Sequence, residues 1–229
     1  MPDIAMDAGR NRILTADNLP PRFDTSFEVE LETLFAWRRD VRHFRSDPLP
    51  DGELERLLQL AQLAPSVGNA QPWRFVRILS QPLRETLAAH VDAANERAAE
   101  RYDAERAAAY RRLKLHGLRE APEIIAVFSD EAPEAGHGLG IATMREMLRY
   151  STVMAIHTLW LAARARGIGL GWVSILDPAP ITALLDVPEH WALIGLLCIG
   201  LPSEPSNVPE LERRGWQKRE NWRSHLLER

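Results

Sequence analysis

Five consecutive residues, Arg38-Arg39-Asp40-Val41-Arg42, set a carboxylate inside a cluster of guanidiniums. Arginine forks bind phosphate bidentately, but they also coat ordinary helix ends, so the arginines alone decide little. Asp40 is the informative residue. It is either an ion-pair partner of Arg38, Arg39 or Arg42, or a proton-transfer group whose pKa is pulled down by those cations and up by burial. A second motif, Pro65-Ser66-Val67-Gly68-Asn69-Ala70-Gln71-Pro72-Trp73, offers two side-chain amides between prolines. Asn69 and Gln71 each carry one acceptor and two donors, able to read a uracil-like edge. By itself the segment is equally a turn whose Trp73 packs in the core. The third motif is Gly167-Ile168-Gly169-Leu170-Gly171-Trp172-Val173-Ser174. Its glycines allow backbone to approach a flat ring, or serve a tight helix-to-strand crossover.

Together these motifs suit a ligand with a phosphate at one end and a flat, amide-edged ring at the other. The bulk composition narrows the class. The 229 residues, 45% hydrophobic and 26% charged, bury one α/β or α+β core, and two independent domains would be a tight fit. A net charge of -4 argues against a nucleic-acid partner, so the arginines serve something local. Cys198 is the sole cysteine, which rules out an intramolecular disulfide and points to a reducing, cytoplasmic setting. No run approaches the roughly 18 apolar residues of a membrane span, and no signal peptide is expected. Seven histidines show no metal-ligand spacing, so no metal is expected.

Several elements must position the motifs. Residues 1 to 25 read as an arm outside the single domain of residues 26 to 229. Phe27, Leu31, Leu34 and Phe35 recur at helical spacing and lead into the arginines. Asp51 is the expected N-cap of a helix carrying Leu54, Leu57, Leu58 and Ala61. Strands are expected over 73 to 79, 123 to 128 and 192 to 199. The charged, alanine-rich stretch 83 to 117 reads as two helices, either a lid over a cleft or a solvated surface pair. Residues 144 to 166 form a long helix whose small, apolar face, with Met147, Ser151, Met154, Ala155, Thr158 and Ala162, suits a partner helix. Gly136-His137-Gly138-Leu139-Gly140 is a turn before it, and the proline-rich stretch 202 to 209 is not helical.

Seen together, the three motifs resemble the FMN-binding nitroreductase superfamily, over about residues 27 to 222. Within it, Arg38-Arg39-Asp40-Val41-Arg42-His43-Phe44 and Gly171-Trp172-Val173-Ser174-Ile175-Leu176-Asp177-Pro178 resemble the 5,6-dimethylbenzimidazole synthase branch. Ordinary nitroreductases usually carry serine where Asp40 sits. The resemblance implies an α+β, nitroreductase-like fold, with a central, mainly antiparallel sheet flanked by helices and FMN at a homodimer interface. It implies flavin binding by Arg38, Arg39, Asp40, Val41, Arg42, Ser66, Asn69, Gln71, Gly171 and Ser174, with Asp40 and Ser174 catalytic. A C-terminal basic group is expected to return to the phosphate through Arg214, with Lys218 and Arg219 solvated and the tail wrapping a partner subunit. The implied reaction consumes reduced FMN with O2 to make 5,6-dimethylbenzimidazole, the lower ligand of vitamin B12. A separate flavin reductase would supply the reduced flavin, consistent with the lack of a GxGxxG fingerprint after a strand. Two other readings stay open: an NAD(P)H-dependent flavin nitroreductase or cob(II)yrinic acid a,c-diamide reductase, and a non-catalytic flavin carrier.

Overall fold

A four-stranded sheet of order β1-β2-β4-β3 forms the centre of the computed structural model, which describes residues 21 to 229. The strands are β1 (Trp73–Arg77), β2 (Glu123–Asp130), β3 (Gly169–Val173) and β4 (Trp191–Gly200), and every neighbouring pair is antiparallel. The helices are α1 (Thr25–Trp37), α2 (Glu53–Ala61), α3 (Gln81–Ala99), α4 (Ala104–Arg111), α5 (Met147–Ala165), α6 (Pro178–Leu184) and α7 (Glu210–Arg213). The expected α+β class and the three expected strands are present. Most of the expected arm, residues 1 to 20, lies outside the described residues.

The sheet is covered on both faces, which is why β2 reads as a continuous apolar run rather than an alternating one. Ile124, Ala126 and Phe128 face one layer, with Leu87, Ala88 and Val91 of α3 and Ile181 of α6. Ile125 and Val127 face the other, with Leu57 of α2 and Ile156, Leu159 and Ala163 of α5. Each fully buried leucine or isoleucine contributes about 1.5–3 kcal/mol, so this three-layer core dominates the stability.

Three local expectations are revised. The N-cap of α2 is Gly52 in the left-handed region (φ 73°), so Asp51 lies one residue before the cap. The expected small face of α5 divides: Ser151 and Ala155 are buried within the chain, whereas Met147, Thr158 and Ala162 are half-buried and Met154 is exposed. Met154 shares its exposed side with Tyr150 and Val153. Finally, α3 packs in the core through Leu87, Ala88 and Val91, and α4 buries Ala107 and Tyr110 while its other residues stay more exposed.

Candidate active site

Helix α1 is capped by Asp24, whose side chain accepts from the Phe27 N–H, and it ends at Arg38. The chain then runs extended along β3. The Val41 N–H donates to the Leu170 carbonyl at 3.0 Å, and Asp40 bridges Leu170 in parallel. This contact explains two of the glycines. A Cβ on Gly171 would lie 2.0 Å from the Val41 carbonyl oxygen, and one on Gly169 would meet the Val41 side chain at 2.9 Å. Both positions are bare because the segment bearing Asp40 crosses them.

Both carboxylate oxygens of Asp40 are held. Oδ1 accepts the Trp172 N–H at 2.9 Å, and Oδ2 accepts Arg42 Nε at 2.9 Å and Nη2 at 2.5 Å. Arg42 Nη1 donates in turn to the Lys114 carbonyl, at the exit of α4, at 3.2 Å. The ion-pair reading of Asp40 therefore holds in this conformation, with Arg42 as partner. Arg39 donates to the carbonyls of Asn207, Arg38 and Phe35. The Arg38 guanidinium lies 4.8 Å over the ring of Trp160, and Trp160 Nε1 donates to the Arg39 carbonyl. Trp160, which the motifs did not flag, thus props the arginine run from α5.

A cavity of about 220 Å³ opens on this cluster, lined by Arg38, Arg39, Asp40, Arg42, Pro209, Glu210, Leu211 and Arg219. Four guanidiniums meet two carboxylates, a surplus of two positive charges that suits a phosphate dianion. Burial pulls the pKa of Arg38 down, Asp40 opposes that, and Arg219 adds to it. Burial also pulls Arg39 down, reinforced by Arg219 and Arg38. An anion in this cavity would relieve that repulsion, so the residues present fit the phosphate of FMN. Among the C-terminal basic residues, Arg219, itself exposed as expected, lines this cavity. Arg214 is exposed and pairs with Glu210 at 3.6 Å.

The loop before β1 is strained. Gly68 (φ 56°), Asn69 (φ 55°) and Gln71 (φ 46°) are all in the left-handed region, where asparagine and glutamine pay a conformational penalty. The surroundings enforce it: Ser66 Oγ accepts the Gln71 N–H at 3.1 Å, and Arg74 Nη1 donates to the Gln71 carbonyl at 3.0 Å. Ser151 Oγ accepts the Val67 N–H. The turn at 136 to 140 interlocks with the loop, since a Cβ on Gly68 would lie 2.8 Å from the Leu139 carbonyl oxygen. An open cleft beside Asn69, Gln71 and His137 holds about 680 Å³. That interlock had no signal in the motif itself.

The two halves of the candidate site stand apart within one chain. Asn69 and Gln71 precede β1, one edge strand, whereas Asp40 lies outside β3, the opposite edge. With strands about 4.8 Å apart, four intervals put the two about 19 Å apart across the sheet. Ser174 follows β3, exposed, and the register sets the last residue of β3, Val173, level with Val76 of β1 across the two intervening strands.

Residues 35 to 201 match the model of the Nitroreductase family. The chain belongs to that family. Among curated proteins, it is 59% identical over 199 residues to the 5,6-dimethylbenzimidazole synthase of Rhodospirillum rubrum, covering 87% of this chain and 94% of that one. It is 48% identical over 196 residues to the synthase of the same name from Rhodobacter capsulatus, covering 86% and 95%. This nitroreductase-family chain also superposes on iodotyrosine deiodinase solved with FMN and 3-iodo-L-tyrosine, with a TM-score of 0.65 and 26% identity over 77% of this chain and 91% of that one.

Proposed function

We propose that this protein is a 5,6-dimethylbenzimidazole synthase that consumes reduced FMN and O2. The observation that carries the reading is Asp40, a carboxylate fixed by a main-chain amide inside an arginine-lined cavity, in a chain whose high-identity relatives bear that name. Arg38, Arg39, Arg42 and Arg219 hold the phosphate, while Asn69 and Gln71 read the ring edge. Val41 and Gly171 fix the wall between them, Ser66 braces the loop and Ser174 reaches the ring from the end of β3. Arg214 acts indirectly, through Glu210.

When bound, reduced FMN supplies both the ring carbons and the electrons for the oxygen chemistry. The protein's own contribution is positioning and proton transfer. The Trp172 N–H orients Asp40 through Oδ1 and Arg42 pairs with Oδ2, so the carboxylate is held in place for proton transfer. A positioned general base of this kind contributes about 10²–10⁴-fold in rate.

A homodimer completes the site. A second copy can bring its Asn69–Gln71 loop to the arginine cluster of the first, which one chain does not do. The exposed apolar stripe Tyr150, Val153 and Met154 of α5 and exposed Phe27, Phe35 and Trp37 of α1 supply the surface for such pairing. The exposed Trp222, Leu226 and Leu227 suit a tail that wraps the partner. Reduced flavin comes from a separate reductase in the cytoplasm. No described helix is long and apolar enough to cross a membrane.

The test is anaerobic loading with photoreduced FMN, exposure to air, and mass analysis of released small molecules. Dimethylbenzimidazole with stoichiometric loss of flavin is expected. Quantitative return of intact oxidised FMN would sink the proposal and favour a reductase or a flavin carrier.

A further inference from the structure

The C-terminal wall of the arginine-lined cavity is fastened to α4 by one side chain. Helix α7 ends in a Schellman turn: Gly215 is left-handed (φ 73°), its N–H donates to the Glu212 carbonyl, and the Trp216 N–H donates to the Leu211 carbonyl at 2.8 Å. That turn directs Trp216 away from the wall and onto α4. Its ring meets Tyr102 edge-on at 5.4 Å and Tyr110 at 5.8 Å, and the Arg106 guanidinium lies 4.8 Å over it. Tyr102 and Tyr110 also meet each other at 5.4 Å, so the four groups form one cluster.

The same helix touches the cavity a second time. Arg42 donates to the Lys114 carbonyl just beyond α4, and the charge of Arg42 reaches the buried Tyr110, lowering a phenol pKa that burial chiefly raises. Leu211 and Arg219, either side of Trp216, line the cavity with the arginines. Helix α4 is therefore joined to the anion site through Trp216 on one side and Arg42 on the other.

We infer that Trp216 is a positioning residue for phosphate recognition: it holds the wall bearing Arg219 against α4, so that filling the arginine cluster and docking α4 are one coupled event. Such coupling is reciprocal, because whatever tightens α4 must tighten the phosphate to the same extent. The inference rests on the reading of the cluster as the phosphate site of FMN.

The test compares oxidised FMN with riboflavin, which lacks the phosphate, by quenching of flavin fluorescence. The wild type binds FMN more tightly than riboflavin if the cluster takes the phosphate; equal affinities would overturn that reading, and the inference with it. Given the difference, Trp216→Ala is expected to weaken FMN about tenfold, equivalent to ~1.4 kcal/mol, while riboflavin changes less than about twofold. Trp216→Phe should recover most of the FMN affinity. In an Arg219→Ala background, Trp216→Ala should add little. Hydrogen exchange over residues 104 to 111 should slow on adding FMN to the wild type and stay unchanged in Trp216→Ala. Equal losses for both flavins would make Trp216 a general scaffold residue, and unchanged FMN affinity would remove any role; either result overturns the inference.

Discussion

The main-chain N–H of Trp172 donates to Asp40 Oδ1 at 2.9 Å and so joins two motifs 132 residues apart in the chain. The bond orients a carboxylate whose other oxygen is already shared with Arg42. The two oxygens are thus held by different partners. A main-chain donor survives every substitution at Trp172 except proline, so orientation persists in most variants while charge can be changed alone.

Asp40→Asn uses that separation. The amide oxygen can still accept the Trp172 N–H, but the negative charge is gone. FMN affinity should stay within about threefold, while dimethylbenzimidazole formation falls by at least ~10²-fold, the lower range for a lost general base. Binding titration and product mass analysis on one preparation check both. Wild-type product yield from the variant would reduce Asp40 to a salt-bridge partner.

Gly171→Ala tests the crossing beneath Asp40. The new methyl would begin 2.0 Å from the Val41 carbonyl oxygen, backbone that has little room to yield. A loss of about 3 kcal/mol, seen as a fall of about 6–12 °C in melting temperature, is expected for such overpacking. Thermal unfolding of the variant at unchanged protein concentration measures it, and an unshifted midpoint would contradict the close contact.

How much of this was legible in the sequence differs between residues for physical reasons. Strand β2 is legible without period-two alternation, because residues 123 to 128 are apolar enough to read as a strand, and the structure extends it to Asp130 and covers it on both faces. Asp40 stands out because a carboxylate among arginines is chemically incongruous. The role of Gly171 is legible only in kind: glycine signals a close approach, and the structure identifies the approaching group as Val41. Trp160 and Arg219 are hidden, since a tryptophan on an amphipathic helix and an arginine in a basic tail look ordinary until the chain folds. The face read on α5 divides, with Ser151 and Ala155 inside and Met154 outside, because tight packing against the chain's own α2 and packing against a partner have the same spacing.

The strain at Gln71 predicts a trade between stability and binding. Glycine adopts φ of 46° without penalty, so Gln71→Gly relieves the backbone while removing the amide expected to read the ring. The melting temperature should hold or rise by about 1–3 °C, while FMN affinity falls. Calorimetry and flavin titration together test this, and a variant that binds FMN as well as the wild type would release Gln71 from recognition.

Cys198 is an alkaline liability rather than a nucleophile. Burial pushes its thiol from an ordinary 9.0 up to about 12. An unfolded chain therefore loses this proton near its ordinary value while the folded chain keeps it, so the unfolded state binds fewer protons as pH rises. The contribution to stability is complete below about pH 9 and is lost as pH climbs toward the folded pKa. Burial likewise raises the Tyr110 phenol, which adds in the same direction. Native protein at pH 8 should resist iodoacetamide until denatured. Cys198→Ala should show a shallower loss of stability between pH 9 and pH 12, whatever its absolute stability. Rapid alkylation of the native thiol would refute the assignment.

The separation of Asn69 and Gln71 from Asp40 predicts that flavin binding requires two copies. Met154 is 42% exposed on a face of α5 whose inner side is fully committed to its own chain, so an aspartate there cannot disturb the core. It would instead place an unpaired charge in any interface formed by that stripe, which costs several kcal/mol when desolvated. Met154→Asp should run as a monomer in sedimentation, keep a folded circular dichroism spectrum, and bind FMN at least about tenfold more weakly, each tenfold being ~1.4 kcal/mol. If the variant is monomeric yet binds FMN normally, one chain suffices for the site. If it remains a dimer, the pairing surface lies elsewhere, with the apolar face of α1, where Phe35 and Trp37 are exposed, the next to examine by the same substitution.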